Sequence, residues 1–254
     1  MDAGLPDAAG LAWWLTAWLR GSVSPDDALA GITGDDAPHR VVGLPAGADP
    51  SGDGVGWALA VGALRSAGAE EAGLALPVDG DPVGLGGPGP FNVAALEVGE
   101  AVVLGPLLPG QDGWGLVPDR TGHGVLWRAL RARRRQLVDL GQADRDLRAA
   151  LGTGAGALAD LDVARWRPEV ADELMDLRRR SRDLVAPPGT PTRCTELAAR
   201  ALQVLGIVDL ALVDDGGALS VAEAVARRDA LEPLARAGRR ALVAACSPEV
   251  WPPA

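Results

Sequence analysis

The sequence predicts an α+β (or α/β) protein in which a small mixed α/β region, residues 1–140, packs against an antiparallel helical bundle, residues 141–254. Short apolar runs alternate with helical stretches as far as about residue 140, whereas only helical patterns follow. Charge divides in a similar way. Residues 1–122 contain 4 Arg and 16 Asp or Glu, a net charge of −12, whereas residues 123–254 contain 20 Arg and 18 Asp or Glu, a net charge of +2.

The composition is that of a globular protein whose basic residues are all arginine. Hydrophobic residues make up 48% and charged residues 23% of the chain, which excludes a disordered protein. The absence of both lysine and tyrosine indicates a genome of very high GC content. The formal net charge of −10 disfavours a general nucleic-acid binder, because such binding needs a cationic surface.

The first predicted element is an amphipathic helix over residues 11–19. Its apolar face is formed by Leu11, Trp14, Leu15, Trp18 and Leu19. On this pattern Trp13 points away from the core and marks a candidate patch for a partner, since tryptophan is enriched at binding hot spots.

The rest of the first region predicts alternating helices and strands. Ser24 and Pro25, followed by two acids, have the pattern of an N-cap and first turn, so they open a short helix. Strands are predicted at 40–44, 73–77 and 101–104, with further short strands at 116–117 and 124–127. Helices are predicted at 56–66 and 91–96, which gives the alternation expected of a layered α/β region.

The second region predicts four helices joined by short connections. They cover residues 144–163, 168–182 and 190–213, and a last helix that begins with the capping box Ser220 to Glu223. The third helix is apolar on most faces and is therefore placed at the centre of the bundle. Pro233 is expected to kink or split the last helix, because proline removes a backbone donor and clashes with the preceding turn.

One stretch has the spacing of a dinucleotide-binding loop. Gly84, Gly86 and Gly89 satisfy G-x-G-x-x-G, in which backbone amides at a helix N-terminus hold a pyrophosphate. The preceding predicted strand ends several residues too early, and Pro88 and Pro90 remove amides where donors are needed. The pattern therefore favours an ordinary loop.

Catalytic and metal chemistry have little support in the sequence. The two histidines, His39 and His123, have no second ligand at helical spacing, so no metal and no cofactor are predicted. Cys194 follows Arg193 near a helix start, but a buried core position is favoured. His39 and Arg40, at the start of a predicted strand, are the candidate polar site of the first region, although a surface or edge position explains His39 equally well.

Two arginine clusters stand out against the acidic background. They are Arg128, Arg131, Arg133, Arg134 and Arg135, and Arg178, Arg179, Arg180 and Arg182. Each cluster is a candidate anion or interaction site. The favoured interpretation is ion pairing with the acidic first region, within or between subunits.

These observations predict a cytoplasmic, non-catalytic interaction or regulatory protein that self-associates or binds a protein partner. Two isolated cysteines and the lack of a signal peptide or a membrane-length apolar run indicate a reducing, non-membrane setting. The alternative is an enzyme or sensor for a small anionic, phosphorylated ligand. Its site combines His39, Arg40 and the Gly84–Gly89 loop with arginines of the second region. A third hypothesis is sequence-specific DNA binding by the helical region, with salt-sensitive association through Arg128–Arg135. The negative net charge of the chain disfavours this hypothesis.

Overall fold

A computed structural model describes residues 5–34, 36, 38–45, 48–49, 52–105, 111–160, 168–213 and 221–251. Over these residues it contains a six-stranded mixed sheet and eight α-helices, which confirms the α+β class. The chain forms two compact units. The sheet unit comprises Pro6–Val138, Ala186–Pro191 and Cys246–Ala254, and the helical unit comprises Met1–Leu5, Asp139–Val185 and Thr192–Ala245.

The sheet unit contains four helices and all six described strands. The helices are α1 (Asp7–Leu19), α2 (Pro25–Thr33), α3 (Trp57–Ser66) and α4 (Pro90–Val98). The strands are β1 (Arg40–Val42), β2 (Val55–Gly56), β3 (Glu71–Ala75), β4 (Ala101–Gly105), β5 (Asp112–Thr121) and β6 (Gly124–Arg133). As predicted, Ser24 caps α2, and its hydroxyl accepts a hydrogen bond from the Asp27 amide.

The strands are ordered β2-β1-β6-β5-β4-β3. The β1–β6 pair is parallel, with Val41 opposite Trp127, and the other pairs are antiparallel. Strands β5 and β6 form a hairpin ten residues long on each side. The sequence predicts only short strands there, because arginines interrupt the apolar run of β6 although alternate residues remain buried.

Small side chains fill much of the core between α4 and the sheet. The buried cluster consists of Ala75, Leu85, Phe91, Ala94, Ala95, Ala101, Val103, Val117 and Ala132. Helix α4 contacts both β5 and β6, so it lies over the long hairpin. The alanines allow helix and strand backbones to approach closely, which gives an alanine-rich chain a well-packed core.

Helix α1 lies deeper in the fold than its sequence pattern predicts. Trp13 is 1% exposed, whereas Trp14 and Trp18 are half-buried, so the prediction of an outward-facing Trp13 is wrong. The physical reason is that α1 is buried on most of its sides. Its buried residues include small ones such as Ala8 and Ala12, which allow close packing all around the helix. A helix that is apolar on most sides does not reveal which side faces the core.

The outer edge of β3 is covered by other parts of the sheet unit. The Thr16 hydroxyl accepts a hydrogen bond from the Ala72 amide at 3.0 Å and donates one to the Ala72 carbonyl at 2.9 Å. Further along the strand, the Leu74 amide donates to the Cys246 carbonyl at 3.4 Å. Because a free strand edge can pair with other chains, these contacts protect β3 from such pairing.

The C-terminal segment returns to the sheet unit after the last helix. It begins with Cys246, forms a short 3₁₀ turn at Pro248–Val250 and buries the Trp251 side chain. The sequence alone assigns residues 186–191 and 246–254 to the helical region. The structure groups both with the sheet unit, because their contacts are to residues far away in the chain.

The helical unit consists of α5 (Leu140–Asp160), α6 (Pro168–Arg182), α7 (Thr192–Val213) and α8 (Val221–Ala245). Helix α7 contacts α6 and α8, and α5 packs mainly on α8. Pro233 lies inside α8, which continues past it, so the predicted split of this helix is wrong. The predicted cap Ser220 lies outside the described residues. Of the helices that the structure describes, none is long and apolar enough to cross a membrane.

Candidate functional site

His39 is enclosed in the sheet unit rather than placed at its surface. Its side chain is 1% exposed, and its Nδ1 accepts a hydrogen bond from the Trp127 indole at 3.2 Å. The neutral imidazole therefore has its proton on Nε2, which lies 3.5 Å from the Asp36 carboxylate. Both ring nitrogens face protein groups, an arrangement that suits packing better than attack on a substrate.

Arg120 connects this histidine to the first helix. Its guanidinium donates hydrogen bonds to Asp7 at the start of α1 and to Asp36 beside His39. Burial by itself would raise the pKa of Asp36, but the hydrogen bonds and positive charge of Arg120, with a smaller contribution from His39, hold that pKa below its usual value. The paired carboxylates raise the pKa of Arg120. This cluster is formed by residues distant in sequence, and sequence reasoning missed Arg120.

Glu100 is a second polar group that sequence reasoning missed. Its carboxylate accepts a hydrogen bond from the Ala8 amide, in the first turn of α1, at 2.8 Å. Burial raises the pKa of Glu100 to about 7; the Ala8 hydrogen bond opposes this shift and the nearby Asp7 carboxylate adds to it. A carboxyl group with this pKa changes its charge near neutral pH.

The Gly84–Gly89 loop is held against protein backbone. Gly84 has φ of +83°, and a Cβ atom there would lie 2.6 Å from the Leu74 carbonyl oxygen. A Cβ atom on Gly86 would lie 2.3 Å from the Arg134 carbonyl oxygen. Gly84 and Gly86 therefore permit close packing between backbone segments, whereas a Cβ atom on Gly89, the N-cap of α4, would meet nothing within 4 Å.

The structure does not bring the glycine loop to His39 and Arg40. Arg40 lies opposite Leu126 on β6 and donates a hydrogen bond to the Gly54 carbonyl. Gly86 instead packs against the backbone of Arg134. Arg134 lies eight residues after Leu126, and eight residues of extended backbone span about 25 Å. The predicted composite site is thus divided between two distant places in the sheet unit.

The first arginine cluster is also divided, because its side chains have different surroundings along β6 and beyond the end of this strand. Arg128 is half-buried, Arg131 stacks over Trp114 with 4.3 Å from Cζ to the ring centroid, and Arg133 lies 3.6 Å from Asp112. Arg134 is exposed, whereas the side chain of Arg135 is only 6% exposed. These five residues do not form one continuous basic patch.

Arg135 belongs to a charged network around the C-terminal segment. It donates to the Ser247 hydroxyl at 3.1 Å and forms an ion pair with Glu249. Arg20 bridges the Glu71 carboxylate at 3.0 Å and the Pro248 carbonyl at 3.1 Å. Burial lowers the pKa of Arg135, and the charges of Glu249 and Glu71 oppose this effect.

A cleft of about 200 Å³ opens beside this network, and we call it the Arg134 cleft. Its charged lining comprises Arg134, Arg135, Glu71 and Glu249. The remaining lining residues are Gly73, Val103, Leu104, Gly105, Leu137 and Pro248. The cleft therefore combines an apolar wall with fixed charges of both signs.

The second arginine cluster lies on α6 in the helical unit. Arg179 pairs with Asp176 at 3.0 Å, and the side chains of Arg180 and Arg182 lie outside the described residues. Arg178 is exposed and lines two adjoining hollows. One, of about 380 Å³, is lined by Arg178, Ser181, Ala199, Arg200 and Gln203, and we call it the arginine groove. The other, of about 440 Å³, is lined by Met175, Arg178, Arg179 and Asp183.

Reactive or metal-binding groups are sparse in the described part of the chain. Burial raises the pKa of the Cys194 thiol, although the Arg193 charge and hydrogen bond oppose the shift, so Cys194 is not an activated thiolate. Over the described ranges, no group of three or more His, Cys, Asp and Glu side chains is placed to hold a metal ion.

The fold and its two units define a two-domain α+β protein, and comparison with known sequences identifies the family. The family model described as the Rv1486c-like protein N-terminal domain matches residues 8–140, and the model for the C-terminal domain matches residues 141–243. The chain belongs to this Rv1486c-like family.

Two relatives from Mycobacterium tuberculosis align over nearly the full length. "Uncharacterized protein Rv1486c" of strain H37Rv is 28% identical over 294 aligned positions, which cover 96% of this chain and 98% of the relative. "Uncharacterized protein MT1533" of strain CDC 1551 has the same identity and coverage. No solved structure gives a significant match. Neither relative's name states an activity, so a function has to be argued from the geometry.

Proposed function

We propose that this protein is a cytoplasmic, non-catalytic interaction protein that self-associates through the arginine groove of its helical unit. The observation that carries the proposal is the positive charge of Arg178, which is exposed beside two adjoining hollows and has no ion pair among the residues that the structure describes. The groove of one copy would receive an acidic surface of another. The free, buried thiol of Cys194 supports the cytoplasmic setting, because thiols stay reduced there.

The charge of the arginine groove favours an acidic partner. Arg178 and Arg200 line it, and the described lining residues include no carboxylate. Arg200 is paired with Asp144 at 2.6 Å, whereas Arg178 forms no ion pair with any residue that the structure describes. A groove lined by arginine and by no described carboxylate attracts a negative surface and repels a positive one.

The apolar part of the site favours a protein surface over a free anion. Met175 is 61% exposed in the hollow that adjoins the groove. Met and Arg are both enriched in protein interfaces relative to the rest of the surface. A matching partner therefore presents an acid beside exposed apolar side chains.

The outer face of α4 in a second copy has this chemistry. Val93 is 59% exposed and Leu96 is 36% exposed, and Glu97 is exposed beside them. The spacings i, i+3 and i+4 place these three residues on one side of the helix. We therefore assign this face as the occupant of the groove, with Glu97 opposite Arg178 and the two apolar residues against Met175.

Such an interface joins two different surfaces of identical chains. Head-to-tail contacts of this kind close into rings or extend into open chains, depending on the rotation between copies. Because the partners have opposite charge and are exposed, association should weaken as salt concentration rises.

Sedimentation velocity of the full chain over a concentration series tests this proposal. We expect wild-type protein to form larger species as its concentration rises, and we expect Arg178→Glu and Glu97→Arg each to remain monomeric. The control is Arg228→Glu, because Arg228 is exposed on α8 of the same unit and lines neither hollow. Association of Arg178→Glu at wild-type strength would contradict the proposal, as would a monomeric wild type that instead binds an acidic peptide through Arg178.

A further inference from the structure

We infer that the Arg134 cleft is a binding site for a small apolar carboxylate. This site lies in the sheet unit and is independent of the proposed self-association. It also differs from the ligand site predicted from sequence, since it uses neither His39 nor Arg40. The charge, lining and size of the cleft favour such a ligand.

Among the residues that the structure describes, the fixed charges around the cleft leave one positive charge without an ion pair. Arg20 neutralises Glu71 through a contact of 3.0 Å, and Arg135 neutralises Glu249. Arg134 lines the same cleft, is exposed, and pairs with no carboxylate among the described residues. One added negative charge would therefore balance the site.

The arginine side chains suit a carboxylate in particular. A guanidinium group presents a planar set of donors that matches the two oxygens of a carboxylate. Arg135 is fixed by Ser247 and Glu249, so its charge is held in place beside the cleft before any ligand arrives. Arg134 remains available for the direct contact.

The balance of charge disfavours a phosphate in the same place. A phosphate monoester carries about −1.5 to −2 charges at neutral pH. Two negative charges would exceed the single positive charge of Arg134, because the charges of Glu71 and Glu249 are already balanced by Arg20 and Arg135. A monoanion matches that single charge.

The apolar wall and the small volume define the rest of the ligand. Val103 and Leu104 are buried beneath the cleft, and Leu137, which is 53% exposed, forms part of its wall. The volume of about 200 Å³ lies below the roughly 300–1,000 Å³ of sites for drug-sized molecules. The site thus fits a short aliphatic or single-ring acid.

Isothermal titration of the full chain with butyrate and with phenylacetate tests this inference. Inorganic phosphate and butylamine serve as comparison probes of different charge. We expect saturable binding of at least one carboxylate and a loss of at least about tenfold in affinity in Arg134→Gln, because a charge-assisted contact is removed.

The matched control is Arg133→Gln, because Arg133 is the adjacent exposed arginine and does not line the cleft. It should bind the carboxylate as the wild type does, and so should the groove variant Arg178→Glu. Three results would overturn the inference. They are no saturable binding of either acid up to about 10 mM, equal affinity in Arg134→Gln and wild type, and tighter binding of phosphate than of the carboxylates.

Discussion

The sheet unit and the helical unit use arginine in different ways. In the sheet unit, Arg20, Arg120 and Arg135 each bind a carboxylate that is distant in sequence, and Arg135 is buried. In the helical unit, Arg200 also reaches a distant carboxylate, that of Asp144, but on α6 Arg179 pairs with a carboxylate one helical turn away and Arg178 has no ion pair among the described residues. Arginines with distant partners join parts of the fold, whereas Arg178 remains available to a partner.

Secondary structure explains part of this difference. Alternation places Arg128 on one face of β6 and Arg131 and Arg133 on the other, and Arg134 and Arg135 follow the end of the strand. On a surface helix, residues three and four apart lie on one side, so Arg178 and Arg179 line the same hollow as Met175. A run of arginines in the sequence therefore indicates a basic patch only when the helix or strand that carries it is known.

The largest effect on stability is expected from Arg135→Met. This change removes the buried guanidinium that contacts Glu249 and Ser247. We expect it to lower the free energy of unfolding by about 3 kcal/mol. The loss is smaller than for a fully buried ion pair, because Glu249 is 36% exposed. Seven of the eight tryptophans belong to the sheet unit, so tryptophan fluorescence during urea unfolding measures its stability. A loss no greater than that of the exposed control Arg133→Met would contradict the structural role of Arg135.

The next effect is expected at the glycine loop that packs against Arg134. A Cβ atom on Gly86 would lie 2.3 Å from the Arg134 carbonyl oxygen and 2.8 Å from that of Arg133, so backbone has to move. We expect Gly86→Ala to destabilise the sheet unit by about 2 kcal/mol. In the matched variant Gly62→Ala, on α3, the added methyl has open space and should be neutral or stabilising. Equal stability of the two variants would show that the loop tolerates a side chain.

A smaller effect depends on pH and concerns Glu100. Its pKa rises from 4.5 to about 7 in the folded protein, so its contribution to stability is complete below about pH 4.5 and is lost as pH rises through 7. This shift corresponds to at most about 3 kcal/mol, and solvent screening of a partly buried group reduces the expected loss to about 1–2 kcal/mol.

The neutral variant Glu100→Gln should remove this pH dependence. Urea unfolding at pH 5 and pH 8 measures it, and the expected result is a gain in stability relative to wild type that is larger at pH 8. The same difference between the two proteins at both pH values would contradict the raised pKa of Glu100.

The smallest effect on stability is expected in the helical unit. Arg178 is exposed and forms no ion pair within the described ranges, so Arg178→Gln should change the free energy of unfolding by less than about 0.5 kcal/mol. Circular dichroism during urea unfolding measures this change. A loss similar to that of Arg135→Met would show that Arg178 holds the fold together and would remove the contrast between the two units.

Local patterns in the sequence were sufficient to predict much of the fold. The cap and first turn at Ser24 and Pro25 correctly predicted α2, and the helix starting at Pro168 was placed correctly. Trp13 was misplaced because α1 buries most of its surface, so no single apolar face sets its orientation. Of the predicted kink or split at Pro233, the split is wrong, because α8 continues past this residue.

The candidate sites depend on contacts that no local pattern encodes. Arg135 was identified as part of a cluster, but its partner Glu249 lies 114 residues away. Arg120 and Glu100 were missed because their partners Asp7 and Ala8 are 113 and 92 residues away. Arg178 was singled out as one of a run of arginines against an acidic background, and its role in an interaction site stays a prediction.

A mixing experiment tests the central claim of self-association most directly. The variants Arg178→Glu and Glu97→Arg reverse the charge on opposite sides of the proposed interface, so each alone has like charges facing and should sediment as a monomer. In an equal mixture, every groove finds a face of opposite charge, and sedimentation velocity should show association restored to the wild-type level. A mixture that remains monomeric under conditions where the wild type associates would contradict the pairing of Arg178 with Glu97.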